Sequence, residues 1–161
     1  MNSLNIRSAR PADAALILSL IKELAAYEKL SHEVSATEAD IQSALFMPQA
    51  SVECVIAEWE GLPVGFALFF SNFSTFLSKK GLYLEDLYVK PEYRGKKIGK
   101  SLLLHLVQIA HERGYGRMEW AVLDWNTPSI DFYKSLGACP MDEWTIFRLN
   151  RGQMAHLLSD K

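Results

Sequence analysis

The chain lacks the marks of several large functional classes. It has only two cysteines, Cys54 and Cys139, far apart, and no Cys/His group with ligand spacing. That argues against a disulfide framework and against a metal site. The plain reading is two small apolar side chains in a reducing compartment. Long apolar runs are also missing: the longest, Pro63 to Phe70, is too short to cross a bilayer. The first residues, MNSLNIRSARPAD, carry no apolar leader core. The expectation is a cytoplasmic protein with no membrane partner. Charge of one sign is scarce, with 17 Lys and Arg against 19 Asp and Glu and a net charge of −2. That balance argues against nucleic acid as the main partner. Two phosphate loops are absent as well, since neither GxxxxGKS/T nor GxGxxG occurs. A Walker-type site is excluded and a dinucleotide fingerprint is unsupported. There are no internal repeats and no low-complexity linker.

At 161 residues, 49% apolar and 22% charged, the chain reads as one globular domain over 1–161 with a substantial core. Its organising stretch is GLYLEDLYVKPEYRGKKIGKSLLLHL, residues 81–106. Residues 82–89 suit a buried strand. Pro91 ends it, having no N–H for a ladder. Residues 93–99 form a turn with two glycines and three cations. From Lys97 the apolar spacing Ile98, Leu102, Leu103, Leu106, Val107, Ala110 is helical. A helix N-terminus offers unpartnered N–H groups at the positive end of its dipole. With Arg94, Lys96, Lys97 and Lys100 nearby, this is either an anion site, most naturally for phosphates, or a solvated basic turn.

The other elements follow from local signals. Residues 4–10 alternate as a first strand. Pro11 and Asp13 open a helix with a broad apolar stripe, ending near Tyr27–Leu30. Thr37 and Asp40 make a capping pair for a helix to Phe46. Val52–Trp59 and Leu62–Phe70 form a hairpin around Glu60-Gly61, and Gly65 hints at a bulge or a close backbone approach. Residues 71–80 read as a loop with two phenylalanines. Gly114 stops the central helix. Residues 117–123 read as a strand, and Asn126 with Pro128 starts a helix to Leu136 that Gly137 caps. Residues 143–149 read as the last strand, followed by a short amphipathic helix or frayed end over 151–161. The order is β-α-α-β-β-β-α-β-α-β, an α/β fold with one mixed sheet of six to seven strands and helices on both faces. Glu85 and Asp86 are adjacent, which puts them on opposite faces of a strand. Acids in an otherwise apolar strand are costly unless they are used or paired. Tyr133 is either a core tyrosine or a proton donor.

Arg94-Gly95-Lys96-Lys97-Ile98-Gly99 resembles the acyl-CoA pyrophosphate loop of the GCN5-related N-acetyltransferases, Q/R-x-x-G-x-G/A, with Lys97 standing where the first motif glycine is usual. The element order is similar to that family's fold, in which the fourth and fifth strands splay and CoA enters between them. Four segments, Ile21–Glu28, Tyr83–Val89, Tyr93–Gly99 and Trp125–Lys134, more specifically resemble the diamine acetyltransferases, the spermidine/spermine N1- and thialysine-acetylating group. The resemblance implies acetyl-CoA as co-substrate and direct attack by a primary amine of a small polyamine, diamine or thialysine-like amino acid. It implies that Leu87, Tyr88 and Val89 serve the pantetheine through their main chain. Residues Arg94 to Lys100 then hold the phosphates, with Asn126 and Ser129 near the cofactor and Tyr133 both near its sulfur and the general acid. It further implies that Tyr27, Glu28 and Glu85 contact the amine, that Glu85 helps deprotonate it, and that Glu119, Trp120 and Ala121 border the same cleft. Homodimers are implied too, with the C-terminal strand (Trp144, Ile146, Phe147) in the contact. The readings kept beside this one are a non-catalytic acyl-CoA-binding regulatory module and a protein or peptide N-acetyltransferase.

Overall fold

The computed structural model describes residues 3–159, which form two compact units dividing after residue 121. The first unit holds β1 (Leu4–Ser8), a 3-10 turn Pro11–Asp13, α1 (Ala14–Tyr27), α2 (Glu38–Phe46), β2 (Val52–Trp59), β3 (Leu62–Ser74), β4 (Lys79–Val89), a 3-10 turn Pro91–Tyr93, α3 (Ile98–Glu112) and β5 (Met118–Trp120). The strands lie in sequence order in one sheet. All neighbours are antiparallel except β4 and β5, which are parallel.

Local chemistry explains most of the boundaries. The Thr37 hydroxyl accepts from the Asp40 amide at 3.2 Å, and the Asp40 carboxylate accepts from the Thr37 amide at 2.8 Å, so α2 starts on a reciprocal cap. Glu60 and Gly61 both have positive φ, 52° and 81°, as a two-residue hairpin turn requires. Gly65 is a close approach: a Cβ there would meet the Tyr88 carbonyl oxygen at 2.7 Å.

Two layers bury the sheet. Ala14, Ile17 and Leu20 of α1 and Ile41 of α2 pack with Cys54, Ile56, Phe66 and Tyr88 on one face. The alternate strand residues, among them Val55, Ala57, Ala67, Phe69 and Leu84, are buried on the other face, where α3 contributes Ile98, Leu102, Leu103 and Leu106. Each large aliphatic or aromatic side chain buried in this way stabilises the fold by about 1.5–3 kcal/mol. Helices therefore cover both faces, as the apolar stripes imply.

Three expectations need correction. Of the residues read as a loop, 71–80, only 75–78 are a turn; the rest continue β3 and begin β4, with the pairs Ser71–Leu82, Asn72–Gly81, Phe73–Lys80 and Ser74–Lys79 extending the hairpin. The strand expected over 117–123 pairs only at Met118–Trp120. The strand expected over 143–149 does not form, and Trp144, Ile146 and Phe147 are 75%, 77% and 92% exposed. Among the described residues the sheet thus has five strands, not six to seven. The reason is physical: a strand's hydrogen bonds come from a neighbour, so β-like composition alone cannot make one.

The second unit carries α4 (Thr127–Ser135) and α5 (Arg151–Ser159). Asn126 caps α4, its side-chain oxygen accepting from the Ser129 amide at 3.4 Å. Gly137 follows with φ 91°. The tail is helical through Ser159; residues 160 and 161 of that expectation lie outside the described residues.

Candidate active site

The site is built on β4. Its pairing with β5 runs only through Leu82–Met118, Tyr83–Glu119 and Leu84–Trp120. From Glu85 to Val89, β4 is paired on its β3 side alone among the described residues. A row of backbone donors and acceptors is thereby left along one strand edge. Leu87, Tyr88 and Val89 lie on this open edge, and β5 itself ends at Trp120.

A β-bulge sits where the open edge begins. Leu84 pairs with Phe69 and Asp86 with Leu68, so Glu85 is the extra residue. The bulge breaks simple alternation at Glu85, so alternation alone does not fix the face of that side chain. Asp86 shares a face with Leu68, which packs on the α1/α2 core, and Glu85 precedes it without a β3 partner. Glu28, just past the last residue of α1, joins them. Burial raises the Glu28 carboxyl above its ordinary value, and the neighbouring Glu85 raises it further. Asp86 is pushed up to about 6, first by burial and then by Glu85 and Glu28. Burial also raises Tyr83, and Glu85 and Glu119 add to it. Glu119 lies beside Tyr83 in register and is 3.1 Å from the Arg117 Nε. Trp120 pairs with Leu84, which puts its side chain on the opposite face from Glu119; Ala121 is exposed. Glu28, Glu85 and Asp86 are thus a group of mutually repelling acids at the start of an open strand edge, an arrangement that a cationic ligand would relieve. Asp86 stood in the sequence beside Glu85 as one of two candidate acids, without a role of its own. Its signal was its place in an apolar strand, but its surroundings depend on the bulge.

The loop after β4 has the features of a phosphate cradle. Gly95 has φ 79° with open space around it, so the backbone is free to approach a ligand. Lys97 is the N-cap of α3, with φ 63° and no side-chain cap hydrogen bond. The first amides of α3 are therefore not closed off by the cap residue's side chain. The positive φ explains why glycine suits this position, and Lys97 holds it at a cost of about 1 kcal/mol. Gly99 lies half-buried beside Leu87 and Val89. Ile98 is a core residue, buried at 1% exposure, so it can serve a ligand only through its backbone. Lys96 places its ammonium 5.2 Å from the centre of the Trp59 ring, and Lys100 is exposed. Arg94 turns to Tyr27 and Tyr88, its Cζ 4.9 and 5.7 Å from their ring centroids. These features fit an elongated phosphate-bearing cofactor.

In the second unit, Asn126 is buried, Ser129 is half-buried, and Tyr133 is half-buried with its ring centroid 5.6 Å from that of Phe132. A separate cavity of about 220 Å³, lined by Leu45, Phe46, Val52, Cys54, Phe69 and Ile109 among others, shares no residue with the β4 site. Burial pushes its Cys54 thiol up to about 12, which makes it a poor nucleophile. Among the described residues no His, Cys, Asp and Glu group is arranged for a metal, and no helix is long and apolar enough to cross a membrane.

The first unit thus combines a parallel strand pair whose pairing stops at Leu84–Trp120, a helix N-terminus without a side-chain cap, and acids where the pairing stops. The chain belongs to the acetyltransferase (GNAT) family, whose model matches residues 18–138. It is 38% identical over 163 residues to a thialysine N-epsilon-acetyltransferase of Bos taurus, covering 94% of this chain and 95% of that protein. It is 37% identical over 164 residues to a spermidine/spermine N(1)-acetyltransferase-like protein of Homo sapiens, covering 96% of this chain and 24% of that longer protein. Among solved structures, an integron cassette protein from the V. cholerae mobile metagenome has a TM-score of 0.80 at 26% identity, covering 97% of this chain and 98% of that one.

Proposed function

We propose that this amine N-acetyltransferase moves the acetyl group of acetyl-CoA to a primary amine of a small polyamine, diamine or thialysine-like amino acid by direct attack. The observation that carries the reading is the Glu28, Glu85 and Asp86 group at the bulge where β4 loses its β5 partner. Acetyl-CoA supplies the activated acetyl thioester. Residues 94–100 take the cofactor phosphates, the backbone of Leu87, Tyr88 and Val89 takes the pantetheine arm, and Asn126 and Ser129 assist it. Tyr27, Glu28 and Glu85 bind the amine, with Glu119, Trp120 and Ala121 bordering the cleft.

An ammonium has no lone pair, so it must lose a proton before the nitrogen can attack. Glu85 and Asp86 attract the cation and accept that proton, directly or through water. A carboxylate with a pKa of about 6 is mostly ionised at neutral pH and is more basic than an ordinary one. The C–N bond forms as the C–S bond breaks, Tyr133 gives its phenolic proton to the departing sulfur, and the second proton of the attacking nitrogen returns through water to the phenolate. The reading extends to one catalytic domain over all 161 residues, acting as a cytoplasmic homodimer without a metal. The exposed Trp144, Ile146 and Phe147 support the dimer as apolar surface for a second copy.

The decisive test is thiol release from acetyl-CoA with spermidine, spermine, putrescine, thialysine, lysine and a basic peptide as acceptors. Turnover on a small amine class is expected. Turnover on the peptide alone would move the reading to a protein N-acetyltransferase, and CoA binding with silence across the panel would move it to a regulatory module. Tyr133→Phe is expected to lower kcat roughly a hundredfold while the CoA Kd stays within about twofold. Unchanged turnover would remove Tyr133 from the chemistry.

A further inference from the structure

Arg94 occupies an unusual place for a residue of a phosphate loop. Its Nε donates to the carbonyl of Val89, the last residue of β4, at 3.1 Å. Its guanidinium lies over the ring of Tyr27, the last residue of α1, at 4.9 Å, and over Tyr88 of β4 at 5.7 Å. Its own backbone belongs to the loop, where its amide donates to the Pro91 carbonyl at 3.2 Å and Gly95 follows with φ 79°. One side chain therefore touches the end of α1 and the open edge of β4 from the start of the cofactor loop. Glu28, next to Tyr27, is the acid that burial raises first and Glu85 second.

We infer that Arg94 is a positioning residue that ties the Tyr27 wall of the acceptor site to the cofactor loop, so that binding CoA fixes the end of α1 before the amine arrives. The inference rests on the proposed reading that Tyr27 lines the acceptor site and that the loop 94–100 holds CoA, Arg94 taking part through its backbone while its side chain turns to Val89 and Tyr27. The physical basis is the guanidinium itself. Its Cζ lies 4.9 Å from the Tyr27 ring centroid while its Nε donates to Val89, and an ammonium can reproduce the charge but not both contacts at once. When phosphates occupy the loop amides, the loop stiffens, and the Arg94–Tyr27 contact carries the restraint to residues 24–30.

The test uses Arg94→Lys, Tyr27→Leu and the double variant. In the wild type, CoA is expected to slow amide hydrogen exchange across residues 24–30. In Arg94→Lys that protection is lost although CoA still binds within about threefold. With a small amine as acceptor, each single substitution raises its KM about three- to fivefold, the range of an exposed cation–π contact, with little change in kcat. The double variant does no worse than either single one, because both remove the same contact. Multiplying effects would overturn the inference. So would equal protection of residues 24–30 in wild type and Arg94→Lys, no protection in either, or a tenfold loss of CoA affinity with the acceptor KM unchanged, the mark of a plain phosphate ligand. Absence of turnover on every amine would defeat the acceptor reading alone. The exchange measurement with CoA needs no acceptor and still decides the Arg94 link.

Discussion

Two groups of acids in the first unit have opposite surroundings. Near the start of the chain, the Arg7 guanidinium binds Asp13 through Nη1 at 2.7 Å and Glu58 through Nε at 2.6 Å. Its hydrogen bond is the main cause holding Asp13 below the ordinary carboxylate range, and the same is true of Glu58. At the β4 bulge the shifts run the other way. Glu28 and Asp86 are raised, by burial first and by acid neighbours second. Acids lowered by a cation within the fold stabilise that fold. Acids raised by one another destabilise it until a cation arrives from outside. The contrast gives the Arg7 group a structural role and agrees with the proposed binding role of the β4 group.

Each group can be broken separately. The largest effect is expected from Glu85→Gln. It should lower kcat/KM for the amine about 10²–10³-fold while leaving the CoA Kd within about twofold, measured by steady-state kinetics and calorimetry. Next comes Arg7→Met, which leaves Asp13 partly buried without its partner. A loss of roughly 2 kcal/mol is expected in denaturant unfolding, with kcat/KM of the folded enzyme nearly unchanged. A large kinetic defect there would erase the distinction between the two groups.

Asp86→Asn sharpens the comparison through pH. The folded value of about 6 lies above the ordinary 3.8, so the folded state holds this proton more tightly than the unfolded chain does. That contribution is present below about pH 4 and lost as pH rises through about 6. The variant should therefore match the wild type near pH 4 and exceed it at pH 7–8 by about 1–3 kcal/mol in thermal unfolding. Its amine kcat/KM should fall, and the acid limb of the pH profile near 6 should disappear. The smallest effect is expected from Lys97→Gly. Relief of the positive φ of 63° should raise stability by roughly 0.5–1 kcal/mol, while loss of the ammonium should weaken CoA binding a few-fold in a salt-dependent way.

Much of the scaffold was legible because its signals are local. The run 82–89, the proline at 91 and the helical spacing from Ile98 place a strand, a turn and a helix where they are found. Thr37 with Asp40, and Asn126 with Pro128, mark two helix starts that the structure bears out. The Gly65 close approach was also readable. Residues 71–80 misled because Ser, Asn and Lys resemble a loop, whereas on an exposed hairpin end such residues pair well enough. Residues 143–149 misled in the other direction, since Trp144, Ile146 and Phe147 have strand propensity but gain no strand from it. The basic loop and the acids of β4 stood out in the sequence, but the surroundings of Asp86 did not, since they depend on the bulge and on Glu28.

What the sequence determined by itself was the set of elements, their caps and turns, and the chemical inventory: a basic glycine-containing loop after a strand bearing two acids. Each of these depends on residues within about one helical turn or one hairpin of each other. What only the tertiary structure decided was geometry across distance. The register shift between Leu68 and Phe69 makes Glu85 a bulge residue, β5 leaves β4 after Leu84, Glu28 is brought within electrostatic reach of Glu85, and Arg94 is laid on Tyr27. Strand register and helix docking are set by the packing of whole layers, and no local propensity encodes them.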